Sequence, residues 1–276
     1  MIQLAEPFKT PYDFRFSLFG FPVRVQALFW LTAAMLGYSA AQSFAGEGQP
    51  IEPSLVLLVI LADFVSIFVH ELGHSLMMRR FGIESHIVLY WFGGLAIPGD
   101  GEREDSPWGS MSWKPERAQR EVTSGQRILI SFAGPLAGFV LAAVVVLCIV
   151  ASGGKFWLEP RFPLFFDFEF AKLDRSNYHL YVLTHVLLWI NIFWGLINLL
   201  PVFPLDGGQI AREIFVQKNP LHGTRLALMV SMWTAIGAAL VGLLVMKDMF
   251  VGLLFASLAA TSYQALQQIG SPRDPW

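Results

Sequence analysis

Residues 54–80 read SLVLLVILADFVSIFVHELGHSLMMRR. The first sixteen residues of this stretch contain one charged side chain, Asp63, and the apolar character is long enough for a helix that crosses the hydrocarbon layer. The stretch then places His70, Glu71 and His74 where lipid-compatible residues are expected. Ionisable groups inside a bilayer are costly, and where they occur they mark function. Histidines four apart share one face of a helix and can approach one metal ion, with Glu71 beside the pair. Two imidazoles on Zn²⁺ and a carboxylate that takes a proton from a bound water is the chemistry this order suits. Two buried histidines that only hydrogen-bond would be the structural alternative, and three ionisable groups within five residues speak against it.

The rest of the chain agrees with a membrane setting. Of 276 residues, 54% are hydrophobic and only 14% are Asp, Glu, Lys or Arg, against about 25% in soluble domains. The mean hydropathy is +0.52. Such a chain has too little polar surface for a soluble protein and is expected to be polytopic. A net charge of −2 argues against nucleic acid as a partner. The single cysteine, Cys148, excludes an intramolecular disulfide and is expected to be a small buried side chain. The first 26 residues lack the long apolar core and A-x-A site of a cleavable signal peptide.

Six spans are expected, at about 27–41, 53–79, 126–150, 179–200, 225–246 and 249–266. They should be helices, because only a helix satisfies its own backbone in lipid. FRFSLFGFPVRV, residues 14–25, is expected to form a small interfacial hairpin. IESHIVLYWFGGLAIP, residues 83–98, is too short and glycine-interrupted for a span. Extended, it forms two strands around Gly93 and Gly94, covered by protein or lining a cavity. A free strand edge there would pair with a peptide; a buried loop that only packs is the other reading. The fold class is therefore an all-α polytopic membrane protein of about six transmembrane helices with a short membrane-embedded β-hairpin. All of residues 1–276 form one domain in this reading.

Basic residues orient it. Lys9, Arg15 and Arg24 precede the first span, and Arg79, Arg80, Arg103, Lys114, Arg117, Arg120 and Arg127 follow the second. Arg212, Lys218 and Arg225 follow the fourth, whereas 42–52 carries Glu47 and Glu52 and no Lys or Arg. The positive-inside rule places both termini and the HELGH side in the cytoplasm of a cell membrane. The polar stretch 99–124 is then a cytoplasmic loop. Residues 151–178, with charges of both signs, lie outside.

A catalytic zinc needs a third protein ligand. NLLPVFPLDGG, residues 198–208, offers Asp206 in an otherwise apolar setting, where Pro201 and Pro204 prevent a regular helix. Broken backbone at membrane depth lines a cavity or a site. His70 lies seventeen residues after Pro53, about 26 Å along a helix that starts outside. The fourth span also runs inward and ends just before Asp206, so both sets of polar groups reach one depth. His86, His179, His185 and His222 are weaker candidates by position.

These two segments resemble the signature motifs of the site-2 protease family of intramembrane zinc metalloproteases. HELGH at 70–74 is similar to the first family motif and NLLPVFPLDGG at 198–208 to the second; FPVRV, the FGG at 92–94 and FAGPLAG at 132–138 extend the likeness over about residues 15–215. The resemblance implies one Zn²⁺ per chain on His70, His74 and Asp206, and Glu71 as general base and later proton donor. It implies that Asn198 holds the substrate or polarises its carbonyl. The segment at Gly93 and Gly94 would pair with an unwound transmembrane protein substrate. Spans two to four would be the core and the others peripheral, and no room is expected for a PDZ or cystathionine-synthase-like domain. A metal-binding transporter or channel would instead show flux without peptide products, and an inactive membrane scaffold would lack a ligand or the base.

Overall fold

Strand β1 (Phe14–Leu18) and strand β2 (Phe21–Val25) form the expected N-terminal hairpin. The coordinates are a computed structural model and describe residues 7–45, 50–99, 122–161, 165–171 and 178–270. Phe19 and Gly20 turn the hairpin with φ of 52° and 80°. Two positive φ values suit the right-handed twist of a two-residue hairpin, although a bulky residue rarely adopts one. Arg79 holds Phe19 there: its Nη1 donates to the Phe19 carbonyl at 2.9 Å, and its guanidinium lies 4.5 Å over the Phe21 ring. Arg24 and Gln26 clamp the segment before the hairpin by donating to the carbonyls of Pro7 and Phe8. Arg24 also pairs with Asp13 at 3.1 Å.

Residues 83–98 form the second hairpin, β3 (Ser85–Tyr90) and β4 (Gly93–Pro98). β2 and β3 pair in parallel, Val23 opposite Ile87 and Val25 opposite Leu89, so the sheet order is β1-β2-β3-β4. A parallel pair needs a long crossover. Helices α1 (Ala27–Ala45) and α2 (Pro53–Arg80) supply it. β2 and β3 are buried almost throughout, whereas β4 is the half-buried edge.

Helix α3 spans Ser124–Ala151. Helix α4 (Tyr178–Trp189) continues through a π-helical turn, Ile190–Trp194, into α5 (Gly195–Asn198). Helices α6 (Asp206–Lys218), α7 (Gly223–Leu240) and α8 (Met249–Gly270) complete the chain, α7 ending in a second π-helical turn at Val241–Val245. Among the described residues, five helical runs are long and apolar enough to cross a membrane: 53–80, 124–151, 178–198, 223–245 and 249–269. The segment expected as the first span folds as helix α1, 19 residues long, but it is not among these five. This is an integral membrane fold that is mostly helical, as expected, but the two expected hairpins join into one four-stranded sheet.

The structure corrects two readings. Cys148 is exposed. α3 is apolar on all sides, so composition could not tell its inner face from its outer one. The connection after α3 is not simply a loop: it contains β5 (Lys155–Arg161) and β6 (Phe165–Ala171), which form a separate two-stranded sheet. In FFDFEF, Phe166, Phe168 and Phe170 recur with the period of two that suits a strand. The polar loop expected at 99–124 lies almost wholly outside the described residues.

The chain packs as two compact units. Among the described residues, the first comprises 7–45, 50–99, 133–159, 168–171 and 178–195, and the second 122–132, 160–161, 165–167 and 196–270. In the first, Val23, Val25, Ile87 and Leu89 of the sheet pack on Phe29 and Ala33 of α1 and Phe68 of α2. Leu55, Val59 and Ala62 of α2 meet Ala41 of α1 and Val182 and Val186 of α4. Gly37 lets α1 approach α2 closely, its missing Cβ 3.2 Å from the Val56 carbonyl. In the second, α7 and α8 share a core of Ala235, Ala239, Phe255, Leu258 and Ala259 with Val202.

Candidate metal centre

α2 carries His70, Glu71 and His74 in its C-terminal half, all buried. The four-residue spacing stacks the two imidazoles on one face. Their Nε2 atoms lie 3.2 Å apart and the rings meet nearly edge-on, at 77°. Two nitrogens bound tetrahedrally at the usual zinc–nitrogen distance stand about 3.3 Å apart, so the donors already have the separation such an ion requires. Together with a Glu71 carboxylate oxygen, all three groups fall within 4.8 Å of one another. The residues present fit a divalent metal.

Glycines bring backbone close to this cluster. Gly73 lies against α3, where a Cβ would strike the Ala133 carbonyl and stand 2.8 Å from Cβ of Ala137. Gly94 of β4 lies against Glu71: an added Cβ would stand 2.7 Å from its Oε1. Gly93 adopts a φ of 139°, open only to glycine without strain, and nothing crowds it. Tyr90 lies opposite Gly93 in the ladder.

One turn before His70, Ser66 accepts a hydrogen bond from Asn191 Nδ2 at 2.8 Å, and the same amide donates to the Leu187 carbonyl. Asn191 sits in the π-helical turn, a device often found at functional sites. Ser66, His70, Gly138, Asn191 and Trp194 line a small cavity with room for about one water. Asp63, farther up α2, is buried with Oδ2 lacking a hydrogen-bond partner.

The other histidines take separate roles. His179 Nε2 contacts Ser54 at 2.9 Å and Glu52 at 3.4 Å, at the start of α2 and about 24 Å of helix away from His70. His86 Nδ1 contacts the Gly99 carbonyl, and His185 packs against Phe44 and Tyr181. His222 precedes α7.

Asn198 and Asp206 belong to the second unit, where they flank one tight loop. Asn198 is the buried last residue of α5, and Asp206 is the first residue of α6, where an anion is favoured by the helix dipole. Gly207 and Gly208 let α6 begin directly against the loop: a Cβ on Gly207 would strike the carbonyls of Leu199 and Leu200, and one on Gly208 the backbone of Val202 and Phe203. Phe203 N–H donates to Ser231 of α7 at 2.6 Å; Ser231 bonds Ser262 of α8 at 2.7 Å, and Ser262 donates to the Leu258 carbonyl. The last two spans thus hold the loop that presents Asp206. Sequence reasoning missed this relay, because α7 and α8 carry further Ser, Thr and Gln residues from which Ser231 and Ser262 do not stand out.

The chain is similar to known proteins. The sequence model of Peptidase family M50 matches residues 57–176 and 168–240. A zinc metalloprotease of Methanocaldococcus jannaschii is 31% identical over 202 residues, covering 71% of this chain and 45% of that protein. A protein of Synechocystis sp. is 30% identical over 240 residues, 83% of this chain and 52% of its own length. The chain spans about half the length of these curated relatives. The solved structure of a site-2 protease from Methanocaldococcus jannaschii shares the fold, with a TM-score of 0.52 at 23% identity, over 92% of this chain and 95% of that one.

Proposed function

The chain belongs to Peptidase family M50, and we propose that it is a zinc-dependent intramembrane endopeptidase that hydrolyses peptide bonds in or near transmembrane segments of membrane proteins. One observation carries this reading: the two imidazole nitrogens 3.2 Å apart, with a carboxylate beside them, on a helix apolar enough to cross a membrane. His70 and His74 are two ligands of one zinc per chain, and Asp206 is the third. When bound, zinc would acidify a water and polarise the scissile carbonyl.

Glu71 accepts the proton of that water and returns it to the leaving amine. Its place against the Gly94 backbone keeps the carboxylate fixed for both transfers. Asn198 donates to the substrate carbonyl oxygen, where charge develops. A transmembrane helix must lose backbone hydrogen bonds before it is cut, and the β4 edge at Gly93 and Gly94 offers replacements. The whole of 1–276 acts as one catalytic domain, with its core in the spans that contain α2, α3 and α4–α5. Arg79 and Arg80, immediately after the HELGH segment, favour a cytoplasmic position for the active-site side and for both termini.

The test is reconstitution in lipid vesicles with a panel of single-span membrane proteins, followed by mass determination of the products. The expected result is cleavage within or beside a span, abolished by a chelator and restored by zinc. Intact substrates throughout the panel, with zinc bound, would overturn the reading.

A further inference from the structure

The FAGPLAG segment of α3 crosses α2 beside the metal cluster, and the position closest to the imidazoles is Gly134. A Cβ built there would overlap Nε2 and Cε1 of His74 and stand 2.8 Å from Nε2 of His70. Those two nitrogens are the atoms that face the proposed metal. We propose that Gly134 is a positioning residue of the zinc centre: the space its missing side chain leaves is what lets both imidazoles and the ion fit beneath α3. The proposal rests on the zinc reading above and adds to it a residue that is neither ligand nor base.

Two features make the space dependent on this one residue. First, α3 cannot simply retreat. At the adjoining crossing, Gly73 of α2 is packed so closely on Ala133 and Ala137 that a withdrawn α3 would lose that contact. Second, the imidazoles cannot turn aside and still serve. Both are buried, and any swing of His74 away from α3 changes the 3.2 Å separation that matches two nitrogens on one ion. Alanine is also a better helix former than glycine, so Gly134→Ala does not weaken α3 through its own propensity. The loss falls on the metal. Gly138, one turn farther along, differs: its added Cβ would meet Asn191 Oδ1 at 3.3 Å and no ligand.

The experiment measures zinc affinity and content on detergent-purified wild-type, Gly134→Ala and Gly138→Ala protein, with the thermal unfolding of each zinc-free form recorded alongside. Gly134→Ala should bind zinc at least about tenfold more weakly than wild type, with its zinc-free form folded. Gly138→Ala should bind as wild type does. Wild-type affinity in Gly134→Ala overturns the proposal. Should Gly134→Ala not be recovered folded, His74→Ala and the double variant Gly134→Ala/His74→Ala decide. If both fold equally well, the collision is with the imidazole, as proposed. If only His74→Ala folds, Gly134 serves helix packing and the proposal fails. A wild-type protein that binds no zinc overturns the peptidase reading itself, and this inference with it.

Discussion

Glu71 of α2 lies directly against the backbone of Gly94 in β4: a single carbon added to Gly94 would stand 2.7 Å from the carboxylate Oε1. The residue proposed to move protons and the strand proposed to hold the substrate are therefore in contact. Gly94→Ala must displace one of them. A displacement of about 1 Å at a reacting group costs about 10²-fold, so turnover should fall by at least that factor. Zinc content should stay near wild type, because no ligand is touched. Gly125→Ala, where nothing lies within 4 Å of the added carbon, serves as control. Normal turnover in Gly94→Ala would separate the strand from the base.

The serine relay makes a stability prediction. Ser231→Ala leaves the Phe203 N–H without its partner in a buried setting. An orphaned buried donor costs about 1–3 kcal/mol. Ser262→Ala should cost less, about 0.5–1.5 kcal/mol, since the bond between Ser231 and Phe203 survives. Denaturant titration in detergent reads both. Equal and negligible losses would mean that α7 and α8 do not anchor the loop.

Strong acid should weaken the N-terminal clamp. Burial raises the Asp13 carboxyl, but hydrogen bonds from the Thr10 hydroxyl and N–H and from Arg24, with the Arg24 charge, outweigh it and leave the group below its ordinary 3.8. A folded-state value below the unfolded one adds stability that is complete above the unfolded value. That stability is lost as pH falls below 3.8 through the folded value. Asp13→Asn should therefore be less stable than wild type at neutral pH, and the difference should shrink in strong acid. A difference that does not change with pH would remove the carboxylate from the account.

Much of this was legible before any coordinates. HExxH on an apolar run fixes spacing, helix and chemistry together, because two histidines four apart can meet only on a helical face. The β3–β4 hairpin was legible from strand-forming residues interrupted by glycine, although the turn falls at Trp91 and Phe92 and Gly93 and Gly94 pair within β4. The parallel pairing of β2 with β3 was not, since some sixty residues separate the strands and no local pattern encodes a partner. INIFW at 190–194 has the composition of an ordinary helix, so its π-helical turn, which carries Asn191 towards Ser66, had no signature. Gly134 was visible only as one small residue in FAGPLAG. α3 is apolar all round, so nothing in it announces which face meets the imidazoles.

The central claim is that His70, His74 and Asp206 hold zinc while Glu71 uses it. Glu71→Gln keeps the size and most of the polarity of the side chain but cannot accept the proton. The most direct measurement is zinc content and substrate cleavage on the same reconstituted samples of wild type and Glu71→Gln. The account predicts about one zinc per chain in both, and cleavage lowered by more than the roughly 10²–10⁴-fold typical of general acid–base catalysis, because one carboxylate serves both proton steps. Wild-type cleavage by Glu71→Gln would contradict it.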